Sequence, residues 1–229
     1  NGVSLIITVG FLADLPGAGA IGEQALAMTV ARLGSAKGPT TQGTMVVDPR
    51  CAANLVSRLL QPATANAIQQ GRSFWTGKIG NKVVSDKLSI VDHPTLPHAL
   101  GSRPFDGEGI AARELPIVEA GVLRNVYVDS YYGKKAAMAP TTGSPSNRVV
   151  GLGDKDLAGW IAAVGKGILV TSWLGGNADA NTGRQRADYA VVRAGGVRRP
   201  GRSGAGDAVG LHDGSYANAL IFFRYAGFV

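Results

Sequence analysis

Thr44-Met45-Val46-Val47-Asp48-Pro49-Arg50-Cys51-Ala52-Ala53-Asn54-Leu55-Val56-Ser57-Arg58-Leu59-Leu60 is the stretch from which the fold is read. Its first four residues are a short apolar run rich in β-branched side chains, which suits a strand. Asp48-Pro49 then supplies two helix-start signals. An Asp ahead of the first turn accepts from that turn's free amides, and a proline just inside it gives up an N–H that has no helical partner. Ala52, Leu55, Val56, Leu59 and Leu60 recur at spacings that place them on one side of a helix. The stretch reads as a strand running into an amphipathic helix.

Towards the N-terminus, Val3 to Val9 reads as a strand and Leu15-Pro16-Gly17-Ala18-Gly19 as its exit turn. Ile21, Ala25, Met28 and Leu26, Val30, Leu33 then follow at helical spacing up to Gly34. Beyond Gly71 the segments shorten to Lys82–Ser85, Leu88–Val91, Ile110–Val118 and Val122–Val128, the last two joined across Glu119-Ala120-Gly121. That texture is an antiparallel meander. Short helices are expected over Asp129–Met138 and Asp156–Val164, the second with Leu157, Trp160, Ile161 and Val164 inward. Strands return at Gly167–Leu174, Tyr189–Ala194 and Ala219–Tyr225. Helices concentrated in the N-terminal third, with strands dominating afterwards, specify an α+β fold with mostly antiparallel sheets rather than a parallel wound sheet. No internal repeat interrupts that order.

Composition narrows the function classes. The 229 residues include 33 glycines and 11 prolines, 45% are apolar and 17% are charged. This excludes a disordered tail, a coiled coil and a collagen-like rod. The one cysteine, Cys51, cannot close an internal disulfide, and three histidines (His93, His98, His212) are poor material for a metal cage. No uncharged run approaches the roughly 20 apolar residues of a membrane span, so a soluble protein is expected. The chain opens on Asn1 with no basic leader, which reads as a chain beginning mid-protein or a processed one. Its net charge of +7 is concentrated among Arg184, Arg186, Arg193, Arg198, Arg199 and Arg202, scattered through Gly/Pro-rich sequence without interleaved aromatics. That pattern is a solvated basic loop rather than a nucleic-acid footprint.

Several motifs compete for a role. Gly17-Ala18-Gly19-Ala20-Ile21-Gly22 has the spacing of a dinucleotide loop, but Gly10 to Pro16 separate it from the strand, and Asp48 stands far beyond it. Tyr131 and Lys135 have the i, i+4 spacing of a proton-transfer pair, without the alternating βα pattern of the enzymes that use one. Together they make a nucleotide-dependent oxidoreductase the rival enzyme reading. Asp92-His93-Pro94-Thr95-Leu96-Pro97-His98 reads as a structured loop, because its prolines keep the imidazoles off one helical face. Gly101-Ser102-Arg103-Pro104-Phe105-Asp106-Gly107-Glu108-Gly109 carries two carboxylates at i, i+2 beside an arginine, and on its residues alone reads as a salt-bridged turn.

Taken in order, Val46-Val47-Asp48-Pro49, Gly71-Arg72-Ser73-Phe74, Asp92-His93-Pro94, the Arg103–Gly109 segment, Glu119-Ala120-Gly121, Asp129-Ser130-Tyr131, Thr142-Gly143, Ser146-Asn147 and Lys166-Gly167-Ile168-Leu169-Val170 resemble the TldD/PmbA (TldE) family. Its members are known also as modulators of DNA gyrase and as subunits of a zinc metalloprotease, so the resemblance makes a stand-alone peptide-binding or DNA-gyrase-associated protein the rival binding reading. On this resemblance residues 1–20 are the tail of an N-terminal domain or a linker. Residues 21–229 are a PmbA/TldE-like C-terminal domain, in which 184–229 match weakly.

The resemblance implies a cytoplasmic heterodimer whose catalytic, TldD-like chain carries HExxxH on the helix after the strand-Pro element. Here Ser57, Arg58 and Pro62 stand at those positions, so the chain resembles the PmbA/TldE branch. The implied role is a non-catalytic subunit without a cofactor of its own. It would shape a channel for an unfolded peptide while zinc resides in a TldD-like partner, and it would form a homodimer when isolated. Arg103, Asp106, Glu108, Tyr131 and Asn147 are the candidates for holding peptide or organising the loop.

Overall fold

A short 3-10 turn (Leu12–Asp14) and α1 (Ala18–Val30) precede β1 (Gly43–Val47), α2 (Pro49–Leu60) and α3 (Ala65–Gln69). There follow β2 (Ile90–Asp92), β3 (Leu115–Glu119), β4 (Val122–Leu123), α4 (Ser130–Ala136), β5 (Arg148–Val150) and α5 (Leu157–Val164). The chain ends in β6 (Gly167–Ala178), β7 (Gln185–Ala194), β8 (Ala205–Ala208) and β9 (Phe223–Gly227). This is a computed structural model, and it describes residues 5–31, 33, 43–165, 167–178, 180–181, 185–194, 205–208 and 223–227. Arg184, Arg198, Arg199 and Arg202 of the basic stretch, and 219–222 of the last expected strand, lie outside the described residues.

The strands form two sheets. A closed barrel runs β1-β6-β7-β8-β9, and a four-stranded sheet has the order β4-β3-β2-β5. Every pairing is antiparallel except β1 with β6, where Thr44 to Val47 align with Gly167 to Val170. The fold is therefore α+β with antiparallel pairing dominant, as the order of patterns predicts.

α2 joins the two sheets. The Asp48 side chain caps it by accepting from the Arg50 amide at 2.9 Å, and Pro49 sits in its first turn. Cys51, Ala52, Leu55, Val56 and Leu60 are buried. They share one apolar core with Met45 and Val47 of β1, Ile90 of β2, Ile117 and Val118 of β3, and Leu123 of β4. Burial in this core removes a few tens of square ångströms or more of apolar surface per side chain, the main favourable contribution to folding. Two indoles then satisfy carbonyls of the helix: Trp173 donates to Cys51 O at 2.8 Å and Trp75 to Leu59 O at 3.0 Å. On the far side of β1, Val46 packs against Trp160 of α5.

Three expectations change. Residues 5–9 form no strand, so the glycine motif at Gly17 opens α1 without the strand end that a pyrophosphate loop needs. Lys82–Ser85 contributes a single bridge, Lys82 to Val122, rather than a strand. β3 and β4 are shorter than the apolar runs that contain them, because the chain turns at Ala120 and Gly121 (φ 43° and 80°) and leaves the ladder after Leu123. A Cβ on Gly121 would lie 2.5 Å from Val84 O, so both the turn and the close approach select glycine there.

Candidate functional site

Beside α2, the β2–β5 pair gathers polar side chains, Asp92, Arg148 and Tyr127 among them, that are not among the five candidates. Asp92 closes β2 and is 2% exposed. It accepts from the Ser146 amide at 3.0 and 2.9 Å and from the Ser146 hydroxyl. Arg148 is its cross-strand partner on β5 and donates through Nη2 to Ser57 Oγ on α2 at 2.8 Å. Tyr127, 2% exposed, turns its hydroxyl to the same place without closing a hydrogen bond of normal geometry. Burial, with the Asp92 carboxylate beside it, pushes that phenol well above its usual range.

The loops 93–109 and 141–147 are sewn together beside this pair. Asn147 Oδ1 accepts from the Gly101 amide at 2.8 Å, and its Nδ2 donates to His93 O at 2.8 Å and Ser102 Oγ at 2.9 Å. The approach is so close that a Cβ on Gly101 would stand 2.6 Å from Ser146 O. Arg103 donates to Ser144 Oγ at 3.0 Å, to Thr142 Oγ1 at 3.3 Å and to Ser144 O at 2.5 Å.

The two carboxylates of the loop take different partners. Asp106 Oδ1 accepts from the Glu108 and Ile110 amides at 2.9 and 3.0 Å. Burial alone would raise its pKa. The Ile110 and Glu108 amides, joined by the Gly143 amide and the Thr142 hydroxyl, hold it below the ordinary carboxylate value. Glu108 Oε2 accepts from the Ser130 amide and hydroxyl at 2.8 and 2.9 Å, fastening the loop to the start of α4. The salt-bridged turn expected from Arg103, Asp106 and Glu108 does not form. The guanidinium is drawn to the 142–144 carbonyl and hydroxyls, while Asp106 Oδ1 takes two amides and Glu108 Oε2 an amide and a hydroxyl.

Tyr131 stands apart from this network. It is 59% exposed on α4, edge-on to Tyr132, with Lys135 Nζ 4.8 Å from its ring centre. Its hydrogen bond and charge push the Lys135 ammonium upward, stabilising a cation on the surface. Of the five candidates the structure thus brings Arg103, Asp106, Glu108 and Asn147 into connected loops and leaves Tyr131 on the rim. Asp92, Tyr127 and Arg148 were missed. In the sequence Asp92 reads only as a loop residue beside His93, and neither Tyr127 nor Arg148 belongs to a spaced motif. Their connection depends on strand register that the residues do not announce.

The residues at the HExxxH positions do not suit zinc. Ser57 Oγ accepts from a guanidinium, Arg58 is itself a cation in the last turn of α2, and Pro62 has no side-chain donor, its carbonyl accepting from Ser73 Oγ at 2.7 Å. Zinc sites need imidazole, thiolate or carboxylate donors. Cys51, on the same helix, is buried with its Sγ against Asp48 O and Val170 O, and burial pushes its thiol up to about 12, far from the thiolate a metal or an electrophile would need. Among the described residues no three His, Cys, Asp or Glu side chains converge to hold a metal ion.

Residues 40–202 match the PmbA/TldA metallopeptidase C-terminal domain. The chain belongs to this family. It is 31% identical over 169 residues to the metalloprotease PmbA homologue of Haemophilus influenzae, covering 71% of this chain and 37% of that protein. It is 27% identical over 178 residues to the metalloprotease PmbA of Escherichia coli O157:H7, covering 76% and 38%. A solved structure from Bacteroides thetaiotaomicron that carries the name modulator of DNA gyrase superposes with a TM-score of 0.85 at 33% identity, over 94% of this chain and 52% of that one. TldE from Thermococcus kodakarensis shares the fold, with a TM-score of 0.75 at 19% identity over 91% and 55%. The chain thus spans under two fifths of these curated relatives and about half of the solved structures. No helix among the described residues is long and apolar enough to cross a membrane.

Proposed function

We propose that this PmbA/TldA-family chain is the metal-free half of a cytoplasmic heterodimeric peptidase, holding unfolded peptide while an HExxxH-bearing partner supplies zinc and hydrolysis. The observation that carries the reading is the chemistry of α2. The positions of the two histidines present Ser57 and Pro62, that of the glutamate presents Arg58, and Arg148 donates to the first of them. A divalent cation beside that guanidinium would be repelled rather than bound.

A second observation supports peptide capture. β5 pairs with β2 and forms an edge of its sheet. Gly151 N donates to Ser89 O and His93 N donates to Asn147 O, so alternation along the ladder turns the N–H and C=O groups of Arg148 and Val150 away from β2. An extended peptide can add to such an edge through its own backbone, without regard to its side-chain sequence. Reconstitution tests the reading. The full-length chain, co-expressed with an HExxxH-bearing relative, is expected to co-purify with it and to be required for cleavage of an unfolded peptide. Cleavage by this chain alone, or undiminished cleavage by the partner alone, would overturn it.

A further inference from the structure

The side chains of β5 alternate between two faces of the sheet. Val150 stands across from Ile90, which is fully buried, and packs against the core. Arg148, two residues away on the same face, reaches Ser57 on α2. Val149 lies between them, points the other way and is 39% exposed.

On that outer face Val149 ends a row that crosses three strands. It pairs with Val91 of β2, and Val91 pairs with Pro116 of β3. Directly opposed residues of an antiparallel ladder share a face, so the three form an apolar row that stops at the open edge of β5. The neighbouring positions are polar. His93 N donates to Asn147 O at 2.8 Å, and His93 Nδ1 lies 3.2 Å from Glu114 Oε2.

The backbone decides which residue of an added strand meets the apolar row. The N–H and C=O groups of Arg148 and Val150 face outward, and every pairing in this sheet is antiparallel. A peptide continuing that pattern bonds to Arg148 and Val150, and its residue between those bonds comes opposite Val149. That position is a non-hydrogen-bonded pair, in which Cα atoms approach to about 4.5 Å and side chains lie closest.

We propose that Val149 is a specificity-determining residue for the bound peptide, selecting a β-branched or aromatic side chain directly across from it and so setting the peptide's register. The inference rests on the peptide-holding role proposed above. Backbone bonds hold any sequence; the contact with Val149 ranks sequences and chooses among registers. A one-residue slip would carry the apolar side chain to the α2 face, and a two-residue slip would leave it beside Asn147 or Gly151.

The test titrates the full chain with capped heptapeptides of serine and threonine that carry one central guest residue: Val, Phe, Ala, Lys or Glu. Binding is followed by the backbone amide signals of Arg148, Val149 and Val150 in NMR spectra. The Val and Phe guests are expected to bind about two- to fivefold more tightly than the Ala, Lys and Glu guests. Val149→Lys is expected to move the Glu guest to the top of the order, and Val149→Glu the Lys guest. Because Val149 is exposed, both substitutions leave the core intact, and either one suffices if the other fails to fold.

Equal affinity for all guests, with the β5 amides responding, overturns the role of Val149 and leaves the peptide-holding role standing. A preference for Val and Phe that persists in both variants overturns it as well, because the selecting contact would then lie elsewhere. No response of the β5 amides to any guest removes both the register residue and peptide capture at this edge.

Discussion

α1 and α2 are helices of almost equal length, 13 and 12 residues, and they sit in opposite circumstances. α2 has a side-chain cap, a proline at its start and five buried residues. α1 has no side-chain cap and no buried residue, and its Leu26 and Val30 are more than half exposed. Both sequences repeat apolar residues at helical spacing. In α2 these converge on one stripe, opposite Arg50, Asn54 and Arg58, whereas α1 spreads Ala, Ile, Leu, Met and Val around its axis with Glu23 as its one charge. Periodicity alone identifies a helix; only segregation of polar from apolar residues says where the core lies.

Leu55→Ala in α2 should have the largest effect, a loss of about 2–5 kcal/mol for a side chain buried among β1, β2 and β3, read by denaturant unfolding. Gly121→Ala comes next, at roughly 1–3 kcal/mol, because it combines a left-handed backbone with a carbonyl in the way.

The third expected outcome concerns pH. Asp48 and Asp106 are both held below the ordinary carboxylate value in the folded chain. Each therefore contributes stability that is complete above the unfolded value of about 3.9 and is lost as pH falls through the lower folded value. Unfolding free energy should drop below about pH 4, and Asp106→Asn should flatten that drop. An unchanged acid slope in the variant would mean that the amides around Asp106 do not prefer its charged form.

Leu26→Ala in α1 should have the smallest effect, under about 0.5 kcal/mol, because the side chain leaves no cavity behind. A loss comparable to that of Leu55→Ala would erase the contrast between the helices and mean that α1 is covered in solution.

Much of the fold was legible because local chemistry and global placement agree. Asp48-Pro49 caps α2, Asp129 caps α4 and Asp156 caps α5, each by a side-chain bond to the first turn. Glu119-Ala120-Gly121 made the β3–β4 hairpin readable, and the run at Gly167 marked β6. The expected strand at Val3–Val9 had apolar alternation but, over its described residues 5–9, no ladder to join. Sequence cannot show that lack, since a strand's hydrogen bonds belong to its neighbour.

The site divides in the same way. Arg103, Asp106 and Glu108 stand out within nine residues rich in glycine, and their bonds are mostly short-range or to one facing loop. The Arg148–Ser57 contact joins residues 91 apart through the register of β5 on β2, and nothing in either segment signals the other.

The central claim is that α2, which in the catalytic branch of the resemblance carries the zinc ligands, here presents a surface that a divalent cation does not enter. Calorimetric titration of the chelator-washed chain with zinc at neutral pH tests it most directly, with an HExxxH-bearing relative titrated alongside as the positive control. The account predicts a saturable zinc-binding heat for the relative and none for this chain, with Arg148→Ala unable to create one. Tight binding of one zinc per chain, abolished by substitutions at Ser57, Arg58 or their neighbours on α2, would contradict it.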